Sequence, residues 1–322
     1  MESGCLISFV IPHKGRFDML KQTLISISKQ NYPTDKIEII VVSQTPDINN
    51  IPLIDNSSIS LKRILRVESE TISELRNHGV KQAAGQYIAF LDADIFISSN
   101  WITAMLSNLH DTERRIIVSA MQICNQSAPP LEHIRTCLSN IDLDVNVDFL
   151  PGRNLFMMRQ SFEQIGGFPE HLITCEDYYF TDKAAQIGHL YYTSDATYIH
   201  LGEDKSFSEM FKKEIWRGQS NLQSIKGRHI PLREIPSFIL PLWISLSILA
   251  ALACLATQSY SLALLFFVLG AIPLFVYSVR LYRLSKHEVD FFPVLKFYAF
   301  YFPARAIGTL AGIFKAIGAD HK

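Results

Sequence analysis

Tyr87-Ile88-Ala89-Phe90-Leu91-Asp92-Ala93-Asp94 is the stretch that decides how this chain is organised. Its residues up to Leu91 are aromatic or aliphatic, a composition typical of a buried β-strand. Asp92 and Asp94 follow, and residues two apart on an extended chain point to the same side. Two neighbouring carboxylates repel each other unless a cation neutralises them or one holds a proton. The pattern suits a hard divalent ion, Mg²⁺ or Mn²⁺, that bridges to a diphosphate, although two solvated turn carboxylates fit the same stretch.

The composition excludes some classes of protein. The chain has 322 residues, enough for one large domain or two modest ones. Its 30 Lys+Arg nearly balance 31 Asp+Glu, so no strong positive field points to nucleic acid as a partner. The five cysteines are scattered without a C-x-x-C pair, which favours a reducing compartment over a disulfide framework or a zinc site. We also expect no signal peptide, because no charged N-terminal region precedes a long apolar run.

Two uncharged apolar segments lie in the last third of the chain, at about 236–256 and 260–279. Helices of about 20 residues are just long enough to cross a hydrocarbon core of roughly 30 Å. Only Thr257-Gln258-Ser259 separates the two segments, so we predict a transmembrane hairpin. The alternative, two helices buried in a large soluble core, is disfavoured because such long uncharged runs are rare there.

Basic residues flank this hairpin on both sides: Lys226, Arg228, Arg233, Arg280, Arg283 and Lys286. Positive charge is typical of cytoplasmic flanks, so we expect a cytoplasmic-membrane protein whose N-terminal domain faces the cytoplasm. The apolar and aromatic segment 291–317, interrupted by Pro293 and Pro303, predicts interfacial helices on the same leaflet. The predicted domains are 1–225 and 226–322.

The first part of the chain alternates between strand and helix patterns. Strands are predicted at 6–12, 37–42, 61–67 and 87–91, with helices from Asp18 to about 29 and from the capping box Thr71–Glu74 to about 84. This alternation predicts a parallel sheet with helices on both faces, which binds ligands at the carboxyl ends of its strands. Polar turn residues, and one proline beside them, cluster at those ends: Pro12, His13, Arg16, Ser43, Gln44, Asp92 and Asp94.

The pattern is less regular afterwards. A helix at 101–109 capped by Asn100, strands at 115–121 and 154–158, and a short helix at 160–165 closed by glycines are predicted. Residues 124–148 show no clear period, so we expect an irregular segment. A helix at 176–187, a strand at 191–200 and a helix opened by the capping box Ser206–Glu209 follow.

These motifs, in this order, resemble the family 2 glycosyltransferases, which have the nucleotide-binding GT-A fold. The matching pieces are Phe9-Val10-Ile11-Pro12, Leu75-Arg76-Asn77-His78-Gly79, the run from Ala83 to Asp94, Gly166-Gly167-Phe168, Glu176-Asp177 and His200. The resemblance covers roughly residues 5–222. It implies an inverting enzyme that takes a sugar from a nucleotide-sugar donor with the help of a divalent metal.

The resemblance assigns roles to individual residues. Asp94 and His200 are expected to bind the metal, with Asp92 facing the metal or the ribose. Pro12, His13, Arg16, Ser43, Gln44 and Arg76 join Asp92 as expected donor-binding residues. Arg76 is placed to reach the diphosphate as a bidentate donor, although a solvated helix charge is the alternative.

Asp177 is the expected general base, which takes a proton from the acceptor hydroxyl. Without the resemblance, Asp177 is a carboxylate at a helix N-terminus, where its charge interacts favourably with the helix dipole. Glu176, Trp216 and Arg217 are expected on the acceptor side. Glu176 is also suited to orienting its loop, and Trp216 to closing over the donor or packing in the membrane domain. Together with the predicted anchor, this indicates a lipid-linked saccharide or polysaccharide acceptor and contact with membrane lipid.

One departure concerns the nucleotide. The family's second strand usually ends in an Asp-rich turn, whereas here it ends Val42-Ser43-Gln44-Thr45, so the base remains open. A processive synthase is disfavoured, because the chain has no Gln-x-x-Arg-Trp motif. Two other classes remain: a non-catalytic membrane-anchored scaffold that binds nucleotide, and a sugar-1-phosphate nucleotidyltransferase. The second requires a Gly-rich loop where this chain has only Gly15.

Overall fold

The computed structural model describes residues 5–47, 58–112, 114–219, 235–286 and 288–319, the last without the side chains from 315 onward. It divides into two compact units, one of residues 1–124 and 142–202, the other of 125–141 and 203–322. The predicted domain boundary at 225/226 lies outside the described residues, as do Lys226, Arg228 and Arg233. The predicted domains therefore stay a prediction.

The elements follow one another in a clear order. The strands are β1 Ile7–His13, β2 Ile37–Ser43, β3 Ser60–Leu65, β4 Tyr87–Leu91, β5 Ile95–Ile97, β6 Arg115–Ile123, β7 Val145–Val147, β8 Asn154–Met158 and β9 His189–His200. The helices are α1 Phe17–Ser28, α2 Ile72–Gln82, α3 Trp101–His110, α4 Pro130–Ser139, α5 Arg159–Ile165, α6 Glu176–Ala185, α7 Phe207–Gly218, α8 Ile235–Ala256, α9 Tyr260–Leu284 and α10 Phe291–Ala319.

The nine strands found among the described residues form one sheet in the first unit, in the order β3-β2-β1-β4-β8-β6-β9-β5, with β7 beside β9. Strands β1 to β4 pair in parallel, as predicted. Beyond β4 the sheet is mixed, because β8 runs antiparallel to both β4 and β6, and β9 is parallel to β6. The α/β fold is confirmed, and the antiparallel pairs are the part that strand periodicity does not reveal.

The core lies on both faces of this sheet. Along β4, Tyr87, Ala89 and Leu91 pack into one buried cluster, whereas Ile88 and Phe90 pack into the other. This alternation follows from the two-residue repeat of a strand, and burial of both faces explains why β4 is apolar throughout. Helix α2 lies so close to the sheet that a Cβ on Gly79 would overlap Val10. Gly79 is therefore a packing residue.

Helix ends agree in part with the predicted signals. At α2, Thr71 Oγ1 accepts from the Glu74 N–H at 3.2 Å and the Glu74 carboxylate accepts from the Thr71 N–H at 2.6 Å, which confirms the capping box. At α7, Ser206 Oγ accepts from the Glu209 N–H at 3.2 Å. Asp18 does not cap α1. That helix begins after Arg16, whose φ is 53°, so Asp18 lies in its first turn. Its negative charge there interacts favourably with the helix dipole.

The prediction of an irregular segment at 124–148 was wrong, since it contains α4 and β7. Pro130 stands at the first position of α4, where its missing N–H costs no helical hydrogen bond. Leu131 and Ile134, three residues apart, are buried in the core of the second unit. Within that unit Arg135 also pairs with Asp204 at 3.1 Å, so α4 is held by apolar and ionic contacts together.

The second unit also contains the two long apolar helices, α8 and α9. By length and composition each could cross a membrane, and most of their large apolar side chains are exposed. The following helix, α10, is continuous, which corrects the prediction of helices interrupted by Pro293 and Pro303. Pro293 lies in the first turn, where proline is tolerated, and only Pro303 stands inside the helix. A Cβ on Gly308 of α10 would overlap the Ile215 carbonyl of α7, so the two helices cross in close contact.

Candidate active site

Asp94 and His200 are brought together where β4 leads into β5. Ile95 of β5 is paired with His200 of β9, and the Leu201 N–H donates to the Asp94 carbonyl at 2.8 Å. His200 Nε2 therefore lies 3.5 Å from Asp94 Oδ2. The two residues are more than a hundred positions apart in the chain, and the pairing of β5 with β9 is what makes them neighbours.

The Asp94 carboxylate is 5% exposed and accepts a hydrogen bond from Arg16 Nη1 at 3.0 Å. Burial alone would raise the pKa of Asp94, but His200 and Arg16 outweigh it and hold the pKa below its usual value. Gly202 packs directly against this carboxylate, where a Cβ would overlap Asp94 Oδ2. The close approach of glycine backbone therefore fixes where the carboxylate lies.

The donor atoms of Asp94 and His200, carboxylate oxygen and imidazole nitrogen, suit Mn²⁺. Among the residues that the structure describes, however, no group of three or more His, Cys, Asp or Glu side chains is close enough to hold a metal. Of the three predicted metal ligands, Asp94 and His200 lie together, whereas Asp92 is paired with Arg76. Asp94 and His200 therefore fit a metal site to which the protein contributes two ligands.

Arg76 is the buried centre of the second cluster. Its side chain is 2% exposed, and its terminal nitrogens donate to Asp92 Oδ1 and Glu176 Oε1, both at 2.9 Å. The guanidinium also lies over the ring of Phe168, 4.9 Å from its centroid. The alternative of a solvated helix charge is therefore wrong, because the side chain is buried. Contact with a diphosphate stays a prediction.

Glu176 and Asp177 begin α6, directly after Cys175, whose φ is 64°. Asp177 Oδ2 accepts from the Gly152 N–H at 3.2 Å, and Oδ1 accepts from the Tyr178 N–H at 2.8 Å. Burial, followed by the neighbouring Asp177 carboxylate, raises the pKa of Glu176 to about 7. The opposing effect of Arg76 is smaller, so Glu176 retains a proton more readily than an ordinary surface glutamate does.

The predicted donor residues at the ends of β1 and β2 are close together, but their side chains are engaged within the protein. His13 Nδ1 and Ser43 Oγ are 2.9 Å apart, and both residues are buried, as is Pro12. Burial in the first place, and Arg16 in addition, lower the pKa of His13 although a backbone hydrogen bond at Gly15 raises it. Their roles toward a donor stay predictions.

Gln44 has a definite structural partner. Its amide nitrogen donates to the carbonyls of Val67, Glu68 and Glu70 at 3.0, 3.0 and 2.8 Å. The resemblance placed this side chain among the expected donor-binding residues. In the structure its amide instead fixes the turn between β3 and α2, and base recognition by Gln44 stays a prediction.

With this geometry in place, the chain can be compared with known proteins. A family model described as Glycosyl transferase family 2 matches residues 8–166. Residues 8–166 form a family 2 glycosyltransferase domain. The predicted resemblance is thereby confirmed. The match includes Asp92, Asp94 and Arg76, whereas Asp177 and His200 lie beyond its end.

Relatives agree with this assignment. Glycosyltransferase AglE of Haloferax volcanii is 24% identical over 245 residues, which cover 74% of this chain and 79% of that protein. A poly(ribitol-phosphate) beta-glucosyltransferase of Bacillus spizizenii is 26% identical over 184 residues, 55% of this chain and 29% of that protein. A solved mannosyltransferase from Pyrobaculum calidifontis, in complex with GDP-Man and Mn²⁺, superposes with a TM-score of 0.62 at 14% identity, covering 96% of this chain and 88% of that one. The structural likeness confirms the predicted GT-A fold.

Trp216 and Arg217, expected on the acceptor side, belong to the second unit. Trp216 is 51% exposed on α7, and Arg217 Nη1 pairs with Glu214 Oε1 at 2.6 Å. Their roles toward the acceptor stay predictions.

Two site residues were missed by the sequence reasoning, Gly152 and Gly202. Gly152 donates its N–H to Asp177. It also lies against the Arg76 guanidinium, because a Cβ at Gly152 would be 3.0 Å from the terminal nitrogens of Arg76. Gly202 leaves space for the Asp94 carboxylate. An isolated glycine signals a close approach only once its neighbours in space are known, and both glycines approach residues far away in the chain.

The raised pKa of Glu176 predicts a pH dependence of stability. Between about pH 4.5 and about pH 7 the folded protein holds a proton on Glu176 that the unfolded chain releases. The resulting stabilisation is complete below the unfolded pKa and is lost as the pH rises through the folded pKa. We expect the melting temperature to fall less between about pH 5 and about pH 8 in Glu176→Gln than in the wild type. Equal slopes, with Glu163→Gln as an exposed control, would contradict this.

Proposed function

We propose that this protein is a metal-dependent, inverting glycosyltransferase that moves a sugar from a nucleotide-sugar donor to a lipid-linked saccharide or a polysaccharide. The observation that carries the proposal is the pairing of two chemical centres at one edge of the sheet. Asp94 with His200 suits a metal and a diphosphate, and Asp177 beside Glu176 suits removal of a proton. Arg76 joins the two centres through Asp92 and Glu176.

The donor centre would be built from Asp94, His200 and Arg16. Asp94 and His200 would hold the metal, whose chemistry is to neutralise charge on the leaving diphosphate. The side chain of Arg16 is 61% exposed although it touches Asp94, so it can turn toward an incoming phosphate. The complex of the Pyrobaculum calidifontis mannosyltransferase with GDP-Man and Mn²⁺ supports this assignment.

For Arg76 we propose a different role from the one that its motif suggested. A guanidinium that is 2% exposed and donates to two carboxylates has little freedom to reach a diphosphate. Arg76 acts instead as a positioning residue, because it holds Asp92 of the donor side and Glu176 of the acceptor side at fixed distances. Asp177, the next residue after Glu176, is positioned by the same contact.

Asp177 would act as the general base. Two backbone N–H groups, of Gly152 and Tyr178, donate hydrogen bonds to its oxygens and so orient the carboxylate. The carboxylate takes the proton of an acceptor hydroxyl while that oxygen attacks the sugar carbon from the side opposite the diphosphate. Attack from that side inverts the configuration of the sugar carbon.

The membrane assignment is also a proposal. We infer that α8 and α9 cross the cytoplasmic membrane and that the catalytic unit lies in the cytoplasm. Arg280 and Arg283 at the end of α9 support this orientation, because basic residues are typical of cytoplasmic flanks. A membrane anchor would keep the enzyme beside a lipid-linked acceptor at high effective concentration. Nucleic acid has no role in this proposal.

Asp94→Asn should abolish binding of Mn²⁺ in the presence of nucleotide, because a neutral amide replaces an anionic ligand. Free Mn²⁺ can be followed by electron paramagnetic resonance while GDP and UDP are added in separate titrations. Asp18→Asn, an exposed carboxylate on α1, is the control. If Asp94→Asn retained the affinity of the wild type, the metal assignment would be wrong.

Asp177→Asn should lower kcat by about two to four orders of magnitude, the usual contribution of a general base, and leave donor affinity unchanged. Transfer to lipid-linked and polysaccharide acceptors would be measured alongside nucleotide binding. Asp182→Asn lies on the same helix and provides the control. A parallel loss of nucleotide binding in Asp177→Asn would mark the residue as structural and remove the support for base catalysis.

The proposed anchor predicts that the full chain stays in the membrane fraction after carbonate extraction. Charged residues in a hydrocarbon core are strongly unfavourable, so Leu249→Arg with Leu264→Arg should release the protein or prevent its insertion. Both leucines are more than half exposed in the structure. Extraction of the wild type into the soluble fraction would refute the membrane assignment.

A further inference from the structure

An aromatic pair lies next to the proposed base. The rings of Phe149 and Tyr178 stack with their centroids 4.7 Å apart and their planes 20° from parallel. Tyr178 directly follows Asp177, and Phe149 comes three residues before Gly152, whose N–H donates to Asp177. Each ring is thus within three residues of one partner in the hydrogen bond that orients the base, Tyr178 of Asp177 and Phe149 of Gly152.

This pair is distinct from the aromatic core beneath α6. Phe168 and Phe180 stack at 4.1 Å and are 3% and 0% exposed, so they are ordinary core residues. Phe149, by contrast, is 36% exposed, and Tyr178 is partly exposed. Leaving a large aromatic ring in water forgoes the free energy of its burial, so the core does not explain the position of Phe149.

We propose that Phe149 and Tyr178 form a platform that binds a pyranose ring of the acceptor. One face of a pyranose consists of C–H groups. Their hydrogens carry partial positive charge and are attracted to the negative face of an aromatic ring. A sugar stacked on this pair would keep its hydroxyls at the rim of the ring, where Asp177 can take a proton. The inference rests on the proposed function and adds to it the class of acceptor.

The charges beside the platform favour a neutral sugar over a bare phosphate. Asp177 is a carboxylate, and like charges at close range repel an anionic group. Arg76, the cation that contacts Glu176, is buried and donates both of its terminal nitrogens to carboxylates. A phosphate that carried the attacking oxygen would therefore meet repulsion here, whereas an uncharged saccharide would not.

The test is binding of simple sugars to the full chain, by saturation-transfer difference NMR. The protein would be held in nanodiscs with Mn²⁺ and GDP or UDP, since detergents with sugar headgroups would compete. The probes are the methyl pyranosides of glucose, galactose and mannose, with glycerol as the acyclic control. We expect the ring C–H protons of at least one pyranoside to receive saturation from the wild type.

Phe149→Leu keeps an apolar side chain and removes the aromatic face, so binding of that pyranoside should weaken by about tenfold. Phe149→Tyr should retain the affinity of the wild type. Ile173→Ala, which removes an exposed apolar side chain that is 67% accessible on the approach to α6, should change nothing. Equal binding to the wild type and to Phe149→Leu would overturn the platform, and so would the absence of binding to all three pyranosides.

Nucleotide binding in the same samples separates this inference from the proposed function. If the wild type binds Mn²⁺ and nucleotide but no pyranoside, the platform is wrong and the glycosyltransferase assignment stands. If pyranosides bind as expected but nucleotide does not, the proposed donor chemistry fails. Unchanged nucleotide binding by Phe149→Leu also shows that the variant is folded, so its loss of sugar affinity can be assigned to the missing ring.

Discussion

The ion pairs of Arg76 are the contacts on which the candidate site depends. A buried cation is strongly unfavourable unless carboxylates pair with it, and removing one partner of a buried pair costs about 3–5 kcal/mol. Asp92 lies 16 positions from Arg76 in the chain, and Glu176 lies 100 positions away. The guanidinium can be buried only when α2, the end of β4 and the start of α6 have all reached their places. The site therefore forms only when these three elements are in place together.

This arrangement also sets the charge of the site. One cation faces three carboxylates, those of Asp92, Glu176 and Asp177, and burial weakens the solvation that would otherwise stabilise them. The pKa of Glu176 rises to about 7 as a result. Asp177 lies beside the buried Glu176 and accepts hydrogen bonds from two backbone N–H groups, a setting that suits the base role proposed for it.

Sequence patterns predicted the parts of this molecule that local chemistry determines. The apolar run of β4, the two carboxylates after it and the capping box of α2 each depend on residues within a few positions. The antiparallel insertion of β8 between β4 and β6 was not predictable in the same way, because pairing depends on contacts between distant segments. The burial of Arg76 illustrates the same limit. A helical pattern shows that Arg76 is on α2, but not that Glu176 and Phe168 will enclose it. The two unanticipated glycines, Gly152 and Gly202, have the same explanation.

The family match ends between the two proposed chemical centres of the site. The matched residues end at 166, so Asp94, the proposed metal ligand, lies inside the match and Asp177, the proposed base, lies outside it. A transfer reaction needs these two groups in register, because a displacement of about 1 Å can cost roughly a hundredfold in rate. Two contacts supply that register, the Arg76–Glu176 ion pair and the Gly152–Asp177 hydrogen bond. Each joins a residue of the matched domain to the first turn of α6. The surface around α6, including Tyr178, can therefore differ while those two contacts hold the first turn of α6 at a fixed distance from Arg76 and Gly152.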